Sequence, residues 1–513
     1  MYALAVLPFA ALVLILLLHN AAMSNDQRHQ VQFGSVANSS AKRVVLTVQS
    51  DRLGREFVPG AVGLSIETRE LATADLSVSD KSLVAMMRLL GPGILRIGGI
   101  SLDDSWWTSD GEPPPAWADS TITPADLDRL GRLLTATGWK AILGVDLGHY
   151  DPDRAANEAQ VAAHVLGAHV LGFEVGNEPR DYGTPQVGLR SESYTADDYL
   201  EELAAYHKAM QASVPTTSLY GPDLGRLTPR TWLGPIASTR PMPFSSIDLH
   251  YYPTHYSVSR GACEGTPTPT GAELLSPRIR ERENAVLTVM LEAGTLAQRS
   301  VRISETNDTS SCDVPGGPDT SPVFASALWS LDWALRASSA GIAGVNFHGY
   351  FGLCLPESFA PICEPSKRAA AARRAAARPE YYGLLAARQL EGGQFVSTKL
   401  TSPWRLPNLT SWATVTSSGT LKIAIENFAT GDSGKAVSIS VPGYSGRYET
   451  LTGPSVEATN GVAFGDAAVT RTGRWQPRAT GLPCSSQSCS VVVRPSSAVI
   501  VTMEQTSSAR GKT

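Results

Sequence analysis

The chain has 513 residues, 42% of them hydrophobic, with 43 Lys and Arg against 48 Asp and Glu and a formal net charge of −5. That length buries one large core and a smaller second one, and the charge balance lacks the electrostatic footprint of a nucleic-acid binder. Forty-five Gly and 34 Pro imply many turns and argue against a helical bundle or coiled coil.

Residues 2–18 are almost wholly apolar and end in Leu12-Val13-Leu14-Ile15-Leu16-Leu17-Leu18 before His19. Ala22 and Ser24 are small residues at the spacing a signal peptidase requires, so residues 1–24 read as a secretory signal and the product as secreted. A membrane anchor is the rival reading, because about 17 apolar residues is the lower limit for spanning a bilayer. Residues 25–55 contain Arg43-Val44-Val45-Leu46-Thr47-Val48, a β-rich run with no helix after it. It is expected to pair into the sheet of a second domain.

Residues 56–391 hold eight short apolar or β-rich runs: Ala61–Glu67, Ile94–Gly99, Lys140–Leu147, Val170–Pro179, Ser218–Leu224, Ser245–Tyr252, Val301–Asn307 and Gly344–Gly349. Helical periods separate them, as in Ala196–Ala212 with Tyr199, Leu200, Leu203, Tyr206 and Met210, and in Val323–Ala337. Continuous apolar strands alternating with helices predict an α/β fold, a (β/α)8 barrel, whose chemistry lies at the carboxyl ends of the strands. A doubly wound sheet is the competitor, but no GxGxxG follows an early strand.

From residue 392 the texture changes. Leu421–Glu426, Ala436–Val441, Tyr448–Leu451, Ser490–Val493 and Ala498–Met503 recur between Gly, Ser and Pro, predicting a C-terminal antiparallel β-sandwich over residues 392–506 and a tail over 507–513. The basic, Ala-rich stretch Lys367–Arg378 reads as a solvated helical insert, with an anionic-polymer patch as the alternative. Six Cys without metal-ligand spacing, in an exported chain, predict disulfides: Cys484–Cys489, Cys354–Cys363 and Cys263–Cys312. Free buried thiols are the alternative for a cytosolic chain. Asn38, Asn307 and Asn408 stand in N-x-S/T. Nine His show no HExxH or other ligand spacing, so neither metal nor cofactor is expected.

Two of the barrel runs end at a carboxylate: Val175-Gly176-Asn177-Glu178-Pro179 in the fourth and Ile303-Ser304-Glu305-Thr306-Asn307 in the seventh. Glycosidic cleavage with retention needs one protonated acid and one ionised carboxylate, roughly 5 Å apart, in environments that drive their pKa values in opposite directions. The Asn177 amide can bond a sugar hydroxyl, and the polar neighbours Ser304 and Asn307 suit an ionised Glu305.

Gly176-Asn177-Glu178-Pro179, Ser304-Glu305 and Asp248-Leu249-His250-Tyr251-Tyr252 resemble the large retaining clan of glycoside hydrolases built on (β/α)8 barrels. The resemblance implies Glu178 as acid/base, Glu305 as nucleophile, His250 in the substrate site and Tyr252 bonded to the nucleophile. Leu95-Arg96-Ile97-Gly98-Gly99-Ile100-Ser101-Leu102-Asp103, Pro379-Glu380-Tyr381-Tyr382-Gly383 and Val493-Arg494-Pro495-Ser496-Ser497-Ala498 are similar to family 79, the β-glucuronidase and heparanase family. That implies Asp103 at the sugar hydroxyls and Tyr350 at the substrate carboxylate. Two departures stand out. Ile100 replaces a polar residue, and the glycine-containing pair that usually follows the nucleophile is absent, which leaves the backbone amides of Gly316-Gly317 as its substitute.

The expected activity is retaining hydrolysis of β-linked glucuronic acid from a glycan or glycoconjugate. Its alternatives are an exo-β-glycosidase on neutral sugars and a non-catalytic carbohydrate-binding protein. The expected partner is a carbohydrate and not a nucleic acid. Oligomeric state is left open.

Overall fold

The computed structural model describes residues 43–256, 269–311, 319–355, 358–403, 408–429, 435–440, 444–485 and 488–505. The apolar leader, Asn38, Cys263, Cys312, Gly316 and Gly317 lie outside the described residues. Among the described residues no helix is long and apolar enough to cross a membrane.

Eight parallel strands close a barrel: Val62–Glu67, Ile94–Gly98, Lys140–Val145, Val170–Val175, Leu219–Leu224, Phe244–Tyr251, Ser300–Thr306 and Gly344–Gly349. These are barrel strands one to eight below. Each pairs with the next in sequence and the eighth pairs with the first, so the closed barrel excludes the doubly wound sheet. Strands such as Lys140–Val145 and Gly344–Gly349 are buried almost throughout, because helices cover the outer face and packed side chains fill the inner one. Register then places chemistry: Glu305 of strand seven lies opposite His250 of strand six. The strands end earlier than the apolar runs suggest at Val145 and Val175, where the chain turns into the loops that carry the site.

The helix Ala196–Ser213 opens on a capping box of Thr195 with Asp198 and buries Tyr199, Leu203, Tyr206 and Met210. The helix Phe324–Ala340 is buried from Phe324 to Ser338. A helix buried over its whole length needs cover on all sides. The helix Pro379–Arg388 covers one side, and the second, β-rich part another: Val456 and Ala458, in the loop after Tyr444–Thr452, accept hydrogen bonds from Ala325 and Phe324, and Trp412 bonds Asp332 at 2.8 Å.

That second, β-rich part is a sheet of ten strands among the described residues, nine along one hydrogen-bonded path that includes Tyr444–Thr452, Ser497–Gln505, Leu421–Asn427, Leu409–Val415 and Gln394–Thr401, with Thr480–Gly481 paired beside Tyr444–Thr452. Strand Arg43–Glu56 lies in it, antiparallel to Gln394–Thr401 and parallel to Lys435–Ser440. Elsewhere the pairing is antiparallel. Val44, Leu46, Val396, Ile423, Val491, Val493, Val499 and Met503 form its own core. Gln394–Thr401 and Leu409–Val415 were not foreseen as strands, because their polar outward faces leave no apolar run to read.

Cys354 is bonded to Cys363 and Cys484 to Cys489. In the basic stretch the helix extends only over Lys367–Ala371, with Lys367 and Arg368 exposed, and Arg373 pairs with Asp75 at 3.1 Å.

Behind the seventh strand Asp308 is fully buried, accepts from Ser321 and has one oxygen without a partner among the described residues. Burial pushes its carboxyl up to about 8, against about 3.9 for an unfolded Asp. Between those values the folded protein binds the extra proton, so this group lowers stability as pH rises from about 4 to about 8. Asp308→Asn is therefore expected to raise the melting temperature at pH 8 by a few degrees and to leave it nearly unchanged at pH 4. Parallel melting curves for wild type and variant across that range would contradict this.

Candidate active site

Arg96, from strand two, lies at the centre of the barrel mouth with no exposed surface. Its Nε donates to Glu174 Oε2 at 2.6 Å, Nη1 to Glu305 Oε2 at 2.7 Å and Nη2 to Asn177 Oδ1 at 2.9 Å. Asp223, at the end of strand five, approaches Nη2 at 3.8 Å. Burial works against the charge on Arg96, and Glu174, Asp223 and Glu305 overcome it. Burial also pushes Glu174 well above the usual carboxylate range, despite Arg96 beside it.

Glu305 and Glu178 meet this frame differently. Glu305 accepts from Arg96 on one oxygen and from the Tyr252 hydroxyl on the other at 2.8 Å, and its side chain is 11% exposed. His348 Nδ1 stands 3.7 Å from it. Burial alone would raise its pKa, but His348, His250 and Arg96, with the Tyr252 hydroxyl, hold it far below the usual range. It is an ionised carboxylate. Glu178 touches His250 Nδ1 through Oε1 at 3.0 Å and keeps 34% of its side chain open to solvent.

His250 bridges Glu178 and Asp223. It is buried, which disfavours its charge, yet Glu305, Asp223 and Glu178 push it up to about 10. The imidazolium faces Glu178 with Nδ1 and Asp223 Oδ1 with Nε2, the latter at 3.3 Å. On the far side of Glu305, His348 Nε2 reaches Glu67 Oε1 at 3.5 Å, and Glu67 accepts from the Ser101 backbone at 2.8 Å.

Backbone shape aims Glu178. Strand four ends at Val175, and Glu178 adopts a left-handed conformation (φ 50°, ψ 49°), which costs of the order of 1–3 kcal/mol for a residue with a Cβ. Its N–H donates to Asp223 O at 3.1 Å, which holds the turn against strand five. Gly225 leaves room for the side chain: a Cβ there would lie 1.8 Å from Glu178 Oε1. Gly225→Ala must therefore displace a flexible carboxylate and little else. The expected result is a fall in kcat of about 10²-fold or more, within the range an acid/base group contributes, with little change in melting temperature. Unaltered kcat would show that the position of Glu178 is unimportant.

The other anticipated residues divide. Asn177 and Tyr252 join the carboxylate frame as described. Asp103 sits beneath it: its Oδ1 accepts from Gly148 N and the Tyr182 hydroxyl, both at 2.9 Å, and Tyr182 in turn accepts from Asn177 N at 3.2 Å. Burial and the neighbouring Asp146 push its carboxyl well up. The Tyr350 hydroxyl is engaged within its own loop, bonded to Ser358 and accepting from Leu355 N. That loop, closed by Cys354–Cys363, lays Phe359 against Tyr252 and His348, with ring centroids 6.0 and 5.7 Å apart. Asn307 is fully buried, its amide donating to His348 O and Glu380, which leaves no room for a glycan in this fold. Arg96, Asp223, His348 and Glu67 were not anticipated. Arg96 is a charge inside the apolar run Ile94–Ile97, and only a buried ion partner explains a charge there. Among the described residues no group of three or more His, Cys, Asp or Glu is arranged to hold a metal.

Fold and site together define a (β/α)8 barrel that presents two glutamates in unlike environments at the carboxyl ends of strands four and seven. No protein-family model and no curated protein sequence matches the chain. Among solved structures, a 4-O-α-L-rhamnosyl-β-D-glucuronidase from Fusarium oxysporum 12S is similar at TM-score 0.72 and 16% identity, over 89% of this chain and 100% of that one. A GH51 arabinofuranosidase from Xanthomonas axonopodis pv. citri is similar at TM-score 0.64 and 14% identity, over 90% and 100%. A bifunctional glucanase-xylanase from a metagenome library is similar at TM-score 0.61 and 12% identity, over 90% and 99%. At such identities the likeness is one of fold.

Proposed function

We propose that the chain is a retaining glycoside hydrolase that removes β-linked glucuronic acid from glycans or glycoconjugates. The observation that carries the reading is the asymmetry of the two carboxylates: Glu305 buried among cationic and hydroxyl donors, Glu178 a third exposed beside them. Glu305 attacks the anomeric carbon while Glu178 gives its proton to the departing glycosidic oxygen. The C–O bond to the leaving group breaks, and a glycosyl ester on Glu305 forms. Glu178, now a base, takes a proton from water, which attacks the same carbon and releases the sugar with its configuration retained. Tyr252 and Arg96 keep Glu305 oriented for the attack.

For the uronate, support comes from the similarity of Leu95–Asp103 to family 79 and from the fold likeness to a glucuronidase at TM-score 0.72. Arg378 adds to it, lying beside Tyr350 with Nε unpartnered among the described residues. A second reading, hydrolysis of a neutral glycoside such as an arabinofuranoside, glucoside or xyloside, is favoured by one observation: the Tyr350 hydroxyl is already satisfied by Ser358 and Leu355. Rates on aryl β-glucuronide, β-glucoside, β-xyloside and α-L-arabinofuranoside separate the two. The glucuronide is expected to be fastest, and Tyr350→Phe to lower its kcat/KM roughly ten- to a hundredfold more than that of the glucoside, the value of one charged hydrogen bond. A wild type fastest on a neutral glycoside decides for the second reading.

A further inference from the structure

The loops after barrel strands two and three carry a group of aromatic side chains that the two-carboxylate chemistry does not use. Trp106 and Trp117 come from the first loop, His149 and Tyr150 from the second. The Trp117 and His149 rings stack at 3.6 Å with an interplanar angle of 2°, and Trp106 meets Trp117 at 5.7 Å and 77°. Trp106, Trp117 and His149 are part-exposed, and Tyr150 is 52% exposed. Ile100, at the start of the first loop, is 71% exposed.

This group is held rigid. The Arg154 guanidinium lies 3.5 Å from the centroid of the Trp106 ring and donates to Trp107 O, Glu112 and Asp151. His149 N bonds Asp146 at 3.1 Å, and Asp146 is the neighbour of Asp103. Through Asp103 and Tyr182 a hydrogen-bonded chain runs to Asn177, beside Glu178. The aromatics therefore share the carboxyl-terminal face of the barrel with the two glutamates and are tied to the same frame. Exposed aromatics in a fixed array on a ligand-facing surface mark a binding site rather than a core.

We infer that Trp117 and Trp106 form a second sugar subsite, which takes a neutral pyranose or furanose ring of the same glycan beyond the residue cleaved between Glu178 and Glu305. The inference rests on the glycosidase reading for the cleavage, but not for the binding. A sugar ring offers a patch of C–H bonds of slight positive charge that suits the negative face of an indole or phenol, while its rim of hydroxyls needs acceptors. The surround supplies them: Asp104, Asp110, Glu112 and Asp119 are all exposed. The same carboxylates repel a uronate or sulfated ring, since Arg154 is already bonded to Glu112 and Asp151. The substrate class is thus a mixed glycan, with a neutral sugar joined to the residue removed, and not a uniformly anionic polymer.

The test uses the full chain carrying Glu305→Gln, titrated with xylotetraose, cellotetraose and a hyaluronan tetrasaccharide while tryptophan fluorescence is followed. At least one neutral probe is expected to bind about tenfold or more tightly than the anionic one. Trp117→Ala should weaken that binding about tenfold or more, and Trp117→Phe, which keeps a ring, should restore most of it. In the otherwise wild-type enzyme, Trp117→Ala should affect oligosaccharide binding at least tenfold more than kcat/KM on an aryl monoglycoside. Tighter binding of the anionic probe, no Trp117-dependent binding of either neutral probe, or equal losses on oligosaccharide and aryl glycoside overturns the subsite. Should the wild type cleave no aryl glycoside while Trp117-dependent binding persists, the catalytic reading fails and the subsite stands.

Discussion

Glu305→Gln is expected to remove turnover on every glycoside that the wild type cleaves, with no recovery on adding azide. The amide is close in size to the carboxylate and leaves Arg96 and Tyr252 in place, but it cannot form the glycosyl ester. Glu178→Ala should behave otherwise. A good leaving group such as dinitrophenolate departs without a proton, so the ester on Glu305 still forms at an appreciable rate. Its hydrolysis is then slow, because no base activates water; the loss on substrates that need the acid should be about 10²–10⁴-fold. Azide, which needs no base, enters the vacated space and is recovered as a β-glycosyl azide. Product stereochemistry and azide capture together read out which residue does which task. If Glu178→Ala were the variant dead to all substrates and Glu305→Ala the one rescued by azide to a β-product, the two roles would be exchanged.

The barrel was legible because its strands are buried on both faces and therefore spell out continuous apolar runs such as Lys140–Val145 and Gly344–Gly349. The second sheet was only partly legible, since Gln394–Thr401 buries only the adjacent pair Phe395 and Val396, leaves the rest of its length exposed or half-buried, and pairs with a strand more than three hundred residues away. Glu178 and Glu305 could be singled out as candidates because each closes an apolar run. What surrounds them could not be found in this way. Arg96, Asp223 and His348 come from three further strands, and only closure of the barrel brings them within 4 Å of their partners. Residues that act through another residue leave no local pattern. A charge inside a buried strand is the trace that remains, and Arg96 shows it. Tyr350 illustrates the reverse case: it stands after strand eight, where the resemblance led us to expect a carboxylate-binding hydroxyl, while that hydroxyl bonds within the loop that follows.

The centrality of Arg96 leads to the largest expected effect on stability. Arg96→Met has nearly the right length and no charge, and it leaves Glu174, Asp223 and Glu305 facing one another in a site where Arg96 and Glu174 have no exposed surface. Removing one partner of a buried ion cluster typically costs about 3–5 kcal/mol, because the remaining charge stays unsolvated and uncompensated. The dependence on pH follows from Glu305. Its folded pKa is depressed by His348, His250 and Arg96 against the opposing effect of burial, so the stabilisation from its charge is present above the unfolded value of about 4.3 and is lost as pH falls through the folded value. Removing Arg96 takes away part of that stabilisation. The deficit of the variant should therefore be present in full from pH 7 down to about pH 4, and shrink only below that, as Glu305 takes up its proton. Denaturant unfolding of wild type and variant at pH 7, pH 4 and pH 3 measures this. A deficit below about 1 kcal/mol at pH 7, as for an exposed ion pair, or one independent of pH would mean that Arg96 does not hold the carboxylates of this site together.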